Sequence, residues 1–202
     1  MKSSPQLIAR FLVSRRFHYA AAATIALFAL RGKWVLTSVP LIGSSNHAQI
    51  RVFVFCALAI SLILGATLSV NLGEVERLRH RRLSSLVNIH LMAIVATLLL
   101  FAYLASGVLG VDAAQLFLSD SIFFLGSFAA AQVLLPKDMG WLVPVTVMLI
   151  MWMFGTEEPV NIPRDWAWLL PGAVAPYGLS LSWSLGVTGL LIWRYRTLSP
   201  VA

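Results

Sequence analysis

Runs of apolar residues, interrupted at intervals by short polar stretches, govern this chain along nearly its whole length. Five runs are long and almost free of charge: residues 52–72, 86–109, 115–135, 139–154 and 177–193. Each approaches the roughly 20 apolar residues that cross a hydrocarbon core about 30 Å thick, the fourth being the shortest. The pattern predicts five helical spans. A sixth, first in the chain, falls within about residues 17–42. Residues 17–30 are apolar, then Arg31, Gly32 and Lys33 intervene before residues 34–42 resume the run. Either a short span ends where Arg31 and Lys33 snorkel into the headgroups, with Trp34 in the aromatic belt, or a long tilted span carries two cations into the membrane. The long span costs several kcal/mol unless those cations are paired or wet, so the short one is preferred.

Two segments outside the spans have patterns of their own. Residues 5–16 set Leu7, Ile8, Phe11 and Leu12 on one helical face, with Arg10, Arg15 and Arg16 beside it. Such a segment reads as a helix lying in the inner interface, or as a basic tail that only orients the first span. Residues 155–176 are cut into short pieces by Pro159, Pro163, Pro171 and Pro176. Trp166, Trp168, Leu169 and Leu170 are too apolar for a free loop and too few to span, which predicts one or two short helices dipping into the outer leaflet. No internal repeat or low-complexity tract divides the chain. The expected fold class is all-α: a single transmembrane domain, residues 1–202, with six helices crossing the membrane.

Composition sharpens this picture. Of 202 residues, 59% are hydrophobic and 11% charged, and the mean hydropathy is +0.84. A water-facing surface needs more than twice that charge, and disordered chains are poor in apolar residues, so both classes are excluded. The net charge of +7 suggests nucleic acid only if the basic residues share a face on a soluble body. Here they alternate with apolar runs. With both termini in the cytoplasm, eleven of the fifteen Lys and Arg fall inside, at Lys2, Arg10, Arg15, Arg16, the cluster Arg77, Arg79, Arg81 and Arg82, then Lys137, Arg194 and Arg196. Only Arg31, Lys33, Arg51 and Arg164 fall outside, which fits a multi-pass protein of the cell membrane. Cys56 is the one cysteine, so no intrachain disulfide forms. The basic N-terminus lacks a short apolar core followed by a cleavage site and reads as retained.

Candidate chemistry is sparse. No phosphate-cradling G-x-x-x-x-G-K-[ST] loop, H-E-x-x-H or G-x-S-x-G occurs, so the chain is expected to be no enzyme and to hydrolyse no ATP by itself. Asp120 is the one acidic residue inside a span, where an ionisable group is a functional candidate by default. The plainer alternative has it hydrogen-bonded to Ser119 or Ser121 near the wet interface. Of His18, His47, His80 and His90, the first and last both fall near the inner surface and could jointly ligate a haem iron, or each could be a packed histidine. No metal site is expected. Residues 71–88 are the richest stretch: Glu74 and Glu76 precede Arg77, Arg79, Arg81 and Arg82. As a helix this stretch pairs Glu74 with Arg77 and Glu76 with His80, making a short rod that projects into the cytoplasm. A basic cluster that only sets orientation is the alternative.

A basic amphipathic segment before the first span, an acidic pair with basic residues after the second, and short outer helices between the fifth and sixth resemble the permease subunit of ABC-2-type exporters. In that family the segment after the second span often pairs an acidic residue with a Gly-Thr-containing stretch; Glu74 and Glu76 match the acidic part, and Arg77, Leu78 and Arg79 replace the rest. The resemblance implies a half-transporter that pairs with a second permease half, identical or related, and docks two cytoplasmic ATPase subunits. ATP and Mg would then sit on the ATPase, with no cofactor in this chain. Glu74 to Arg82 and the Arg10, Arg15, Arg16 helix would form the coupling surface. Met148, Met151 and Trp152, with Met153 and Phe154, would offer an adaptable apolar wall to an amphipathic drug, peptide or lipid-like substrate, unless they are plain packing. The competing classes are a haem-bearing anchor and a structural subunit of a larger membrane complex.

Overall fold

A computed structural model describes residues 38–40, 49–68, 80–136, 139–157, 162–163, 167 and 178–198. Within them the fold is all-α, built from α1 (Val52–Ala66), α2 (His80–Leu109), α3 (Val111–Leu134), α4 (Leu142–Phe154) and α5 (Gly178–Leu198). Each helix falls on one of the five apolar runs. Two short antiparallel ladders join them: β1 (Ser38–Pro40) with β2 (Gln49–Arg51), and β3 (Thr156–Glu157) with β4 (Ile162–Pro163).

Neither ladder is foreseen by the apolar pattern. Because residues 38–40 are extended and paired, no helical span runs through to residue 42. The segment after α4 opens as a ladder, and residues 164–166 and 168–176, where the short outer helices are expected, lie outside the described residues. Pro40 and Pro163 suit the two ladders, since proline disrupts a helix interior but is tolerated in a two-stranded edge ladder. Residues 5–16, the first span up to residue 37, and Trp166 with Trp168 lie outside the described residues.

Local chemistry sets the helix ends. Gly110 takes φ 87°, open to glycine but strained for other residues, and so turns the chain from α2 straight into α3. Leu135 is extended because Pro136 follows it, and α3 stops there. Pro144 sits in the first turn of α4, where its missing N–H has no partner to lose. Thr67 closes α1 by donating from Oγ1 to the Leu64 carbonyl at 2.6 Å.

α3 is the hub. All eight residues from 119 to 126 are buried, and eight residues make more than two full turns, so neighbours cover this helix in every direction. Ser61 reaches Ser121, and Gly65 lies against the Phe128 ring, so α1 runs parallel to α3. Gly186 abuts Ile122 and Gly189 abuts Gly126, so α5 does too. The Phe55 ring meets Trp152 edge-on at 5.4 Å, and Arg194 reaches Asn88, which turns α4 and α2 the other way. Helices α1, α3 and α5 therefore rise while α2 and α4 descend.

The surface is apolar and the interior partly polar. Met92 and Tyr103 on α2 are 71% and 76% exposed, with Leu99 and Leu100 beside them, whereas Ser61, Ser119, Asp120, Ser121 and Ser182 are buried. Two stretches are long and apolar enough to cross a membrane, Ser84–Gly107 in α2 and Ala114–Leu134 in α3. At 1.5 Å per residue, α1 and α4 reach only about 20 Å. α5 has spanning length but carries Ser180, Ser182, Ser184 and Thr188.

Candidate functional site

The centre of the bundle holds its least expected chemistry. Ser119, Asp120 and Ser121 follow one another on α3 and are all buried, Asp120 to 2% exposure. Successive helical side chains diverge by about 100°, so neither serine can turn back onto the carboxyl between them. Asp120 Oδ2, Ser119 Oγ and Ser121 Oγ each lack a hydrogen-bond partner among the described residues. The expected alternative of a hydrogen bond from Ser119 or Ser121 to Asp120 is therefore not what the structure shows. Asp120 is the seventh residue of the apolar stretch that begins at Ala114, about 9 Å along its axis.

Other helices bring polar groups to the same level. On α1, Ser61 Oγ lies 2.9 Å from the Ser121 carbonyl and 2.7 Å from that of Ala57. On α5, Ser182 is one turn before Gly186, which abuts Ile122, so Ser182 lies level with residues 118–119. A layer of hydroxyls and one carboxyl thus crosses three helices inside the bundle.

Above this layer the α3–α5 contact is backbone against backbone. A Cβ on Gly126 would strike the Gly186 carbonyl, one on Gly189 the Gly126 carbonyl, and one on Gly186 would come within 2.5 Å of the Ile122 carbonyl. Gly178, Ser182, Gly186, Gly189 and Trp193 form the buried stripe of α5. Small residues one turn apart are how helices approach closely where surrounding lipid removes the usual hydrophobic drive. The spacing of Ser182, Gly186 and Gly189 carries this signal in the sequence, although the apolar pattern does not.

Of the histidine pair, His18 lies outside the described residues, while His90 is fully buried with Nε2 3.1 Å from Thr67 Oγ1. Since the Thr67 hydroxyl already donates to Leu64, it accepts here, and His90 donates its Nε2–H. His90 Nε2 is thus engaged by Thr67 in this structure. Among the described residues no three His, Cys, Asp or Glu side chains gather to hold a metal.

Met148 and Met151, set out as a substrate wall, are 2% and 3% exposed and pack into the core. Trp152 is half-buried against Phe55, whereas Met153 and Phe154 are exposed. At the opposite end, helix α2 begins at His80, so Arg81 and Arg82 belong to its first turn and continue straight into the apolar run. Arg194 Nε donates to Asn88 Oδ1 at 2.8 Å, tying the end of α5 to this part of α2. Glu74, Glu76, Arg77 and Arg79 lie outside the described residues, as do Arg10, Arg15 and Arg16.

Neither family models, curated proteins nor solved structures give a match to this chain.

Proposed function

We propose that this chain is a multi-pass membrane protein and serves as the permease subunit of an ATP-driven exporter of the ABC-2 type, with both termini in the cytoplasm. The observation that supports the reading best is the continuity of α2. It runs unbroken for 30 residues, from Arg81 and Arg82 through Ser84–Gly107. Thirty residues make a rod about 45 Å long, some 15 Å more than a hydrocarbon core, so one end stands clear of the membrane with its arginines. A rigid rod transmits a push from a cytoplasmic ATPase; a flexible loop absorbs it. The apolar exterior of α2 and α5 supports the membrane part of the reading, because exposed Met92, Leu100, Tyr103 and Leu191 suit lipid far better than water.

The substrate on this reading is an amphipathic drug, peptide or lipid-like molecule, and a second permease half completes the path. ATP and Mg belong to the ATPase. The test is copurification from membranes through a tag on this chain. Recovery of an ATPase subunit supports the exporter, and its loss on Glu74→Ala or on combined Arg79, Arg81 and Arg82→Ala, with insertion intact, identifies the docking loop. Recovery of a haem protein instead, with a Soret band that His90→Ala removes, supports the anchor.

A further inference from the structure

We propose that Asp120 is a proton-binding site in the interior of the bundle, whose carboxyl holds a proton while α3 is enclosed and releases it to water when the helices around it part. The inference goes beyond the exporter reading and does not need it.

The observations are geometric. Oδ2 of Asp120 is buried with no hydrogen-bond donor among the described residues, and the hydroxyls on either side, Ser119 and Ser121, turn to other faces of α3. An ionised carboxylate with neither donors nor a counter-cation is costly in an apolar interior, whereas the protonated acid is a neutral group that such an interior tolerates. Among the described residues the surrounding helices supply no counter-charge at this level. α1 carries Cys56, more than a turn from Ser61, and α4 has no titratable side chain. α2 carries His90, which faces Thr67 about two turns away along the bundle, the exposed Tyr103, and His80, Arg81 and Arg82 in its first turn, farther along the bundle than His90. α5 carries Arg194, Tyr195 and Arg196 only at its far end.

A proton also suits the enclosure better than a metal cation. A cation needs several oxygens converging on one point, and residues 119–121 diverge around their helix. A proton needs one oxygen. In the step itself, the Asp120 O–H bond breaks, the carboxylate keeps the electron pair, and the proton passes to a water molecule as hydronium. The α3–α5 seam at Gly126, Gly186 and Gly189 is packed backbone against backbone, so passing the proton to water on that side requires these two helices to separate there.

Dicyclohexylcarbodiimide, an apolar reagent that attacks protonated carboxyls, tests this on the full chain in native membranes at neutral pH. The expected result is an adduct mapped to Asp120 by peptide mass spectrometry and lost in Asp120→Asn. Exposed Asp112 should resist this reagent there. Because Asn replaces a neutral acid with a neutral amide of the same shape, Asp120→Asn should also leave the melting temperature unchanged. Three outcomes overturn the proposal: Asp120 unmodified in membranes but modified after denaturation and acidification; protection by sodium at constant pH, which would make it a sodium site; or marked destabilisation by Asp120→Asn, which would mark a structural anion.

Discussion

Close packing in this bundle depends on what is missing from certain residues. Gly186 has no room for a side chain: the Cβ of an alanine would press on the Ile122 backbone, and valine adds two more methyl groups in the same space. Forcing extra carbon into a packed contact costs about 1–3 kcal/mol, more where backbone has to move. Gly186→Val should therefore lower the melting temperature in detergent by several degrees. Gly107 is the control, since nothing lies within 4 Å of its Cβ position and it sits inside α2. Gly107→Ala should be neutral or stabilise by about 0.5–1 kcal/mol, because alanine loses less backbone freedom in a helix. Equal effects from the two changes would refute the backbone-to-backbone seam. Thr67 acts through its hydroxyl instead, which accepts from His90 and donates to Leu64. Thr67→Val keeps the shape and removes both bonds, so a loss of about 1–3 kcal/mol is expected in chemical denaturation.

At the scale of elements, length decides more than composition does. Helix α4 is wholly apolar at Leu142, Val143 and Val145, then again from Val147 to Phe154, yet its 13 residues reach only about 20 Å. A segment that short crosses a core of about 30 Å only by thinning the bilayer or by leaning on neighbours. Grafted alone into a membrane-insertion reporter, Leu142–Phe154 should insert poorly, whereas Ser84–Gly107 should insert almost completely. Efficient insertion of the short segment would mean that α4 is extended by its flanks. The apolar pattern made all five described helices legible, because runs of this length leave helix as the only economical way to satisfy the backbone. It did not foresee the paired strands at 38–40 with 49–51 and at 156–157 with 162–163, where proline and neighbouring polar residues suit an edge ladder. It also passed over Gly126, Gly186 and Gly189. A hydrophobicity pattern counts what a side chain adds to burial, and glycine contributes by adding nothing.

Across the whole molecule, alternation of direction makes a claim that charge counting alone could not. Since α2 and α4 run the same way, the start of α2 and the end of α4 must emerge at opposite ends of the bundle, whichever end faces the cytoplasm. Asp120 was legible as a residue out of place, but its enclosure was not, because the partners that cover α3 come from α1, α2, α4 and α5, and no local pattern names them. The uneven distribution of Lys and Arg predicts one of the two orientations, the one with the arginine end of α2 inside. Both statements meet in one experiment. In a Cys56→Ala background, Pro163→Cys, just beyond α4, should react with a membrane-impermeant maleimide in intact cells. Ser84→Cys, in the first turns of α2, should react only after the membrane is opened. Labelling of both from outside would break the antiparallel bundle as a transmembrane unit. Exchange of the two results would keep the bundle and reverse the protein in the membrane, moving Arg81 and Arg82 out of reach of any cytoplasmic ATPase and removing the ground for the exporter reading.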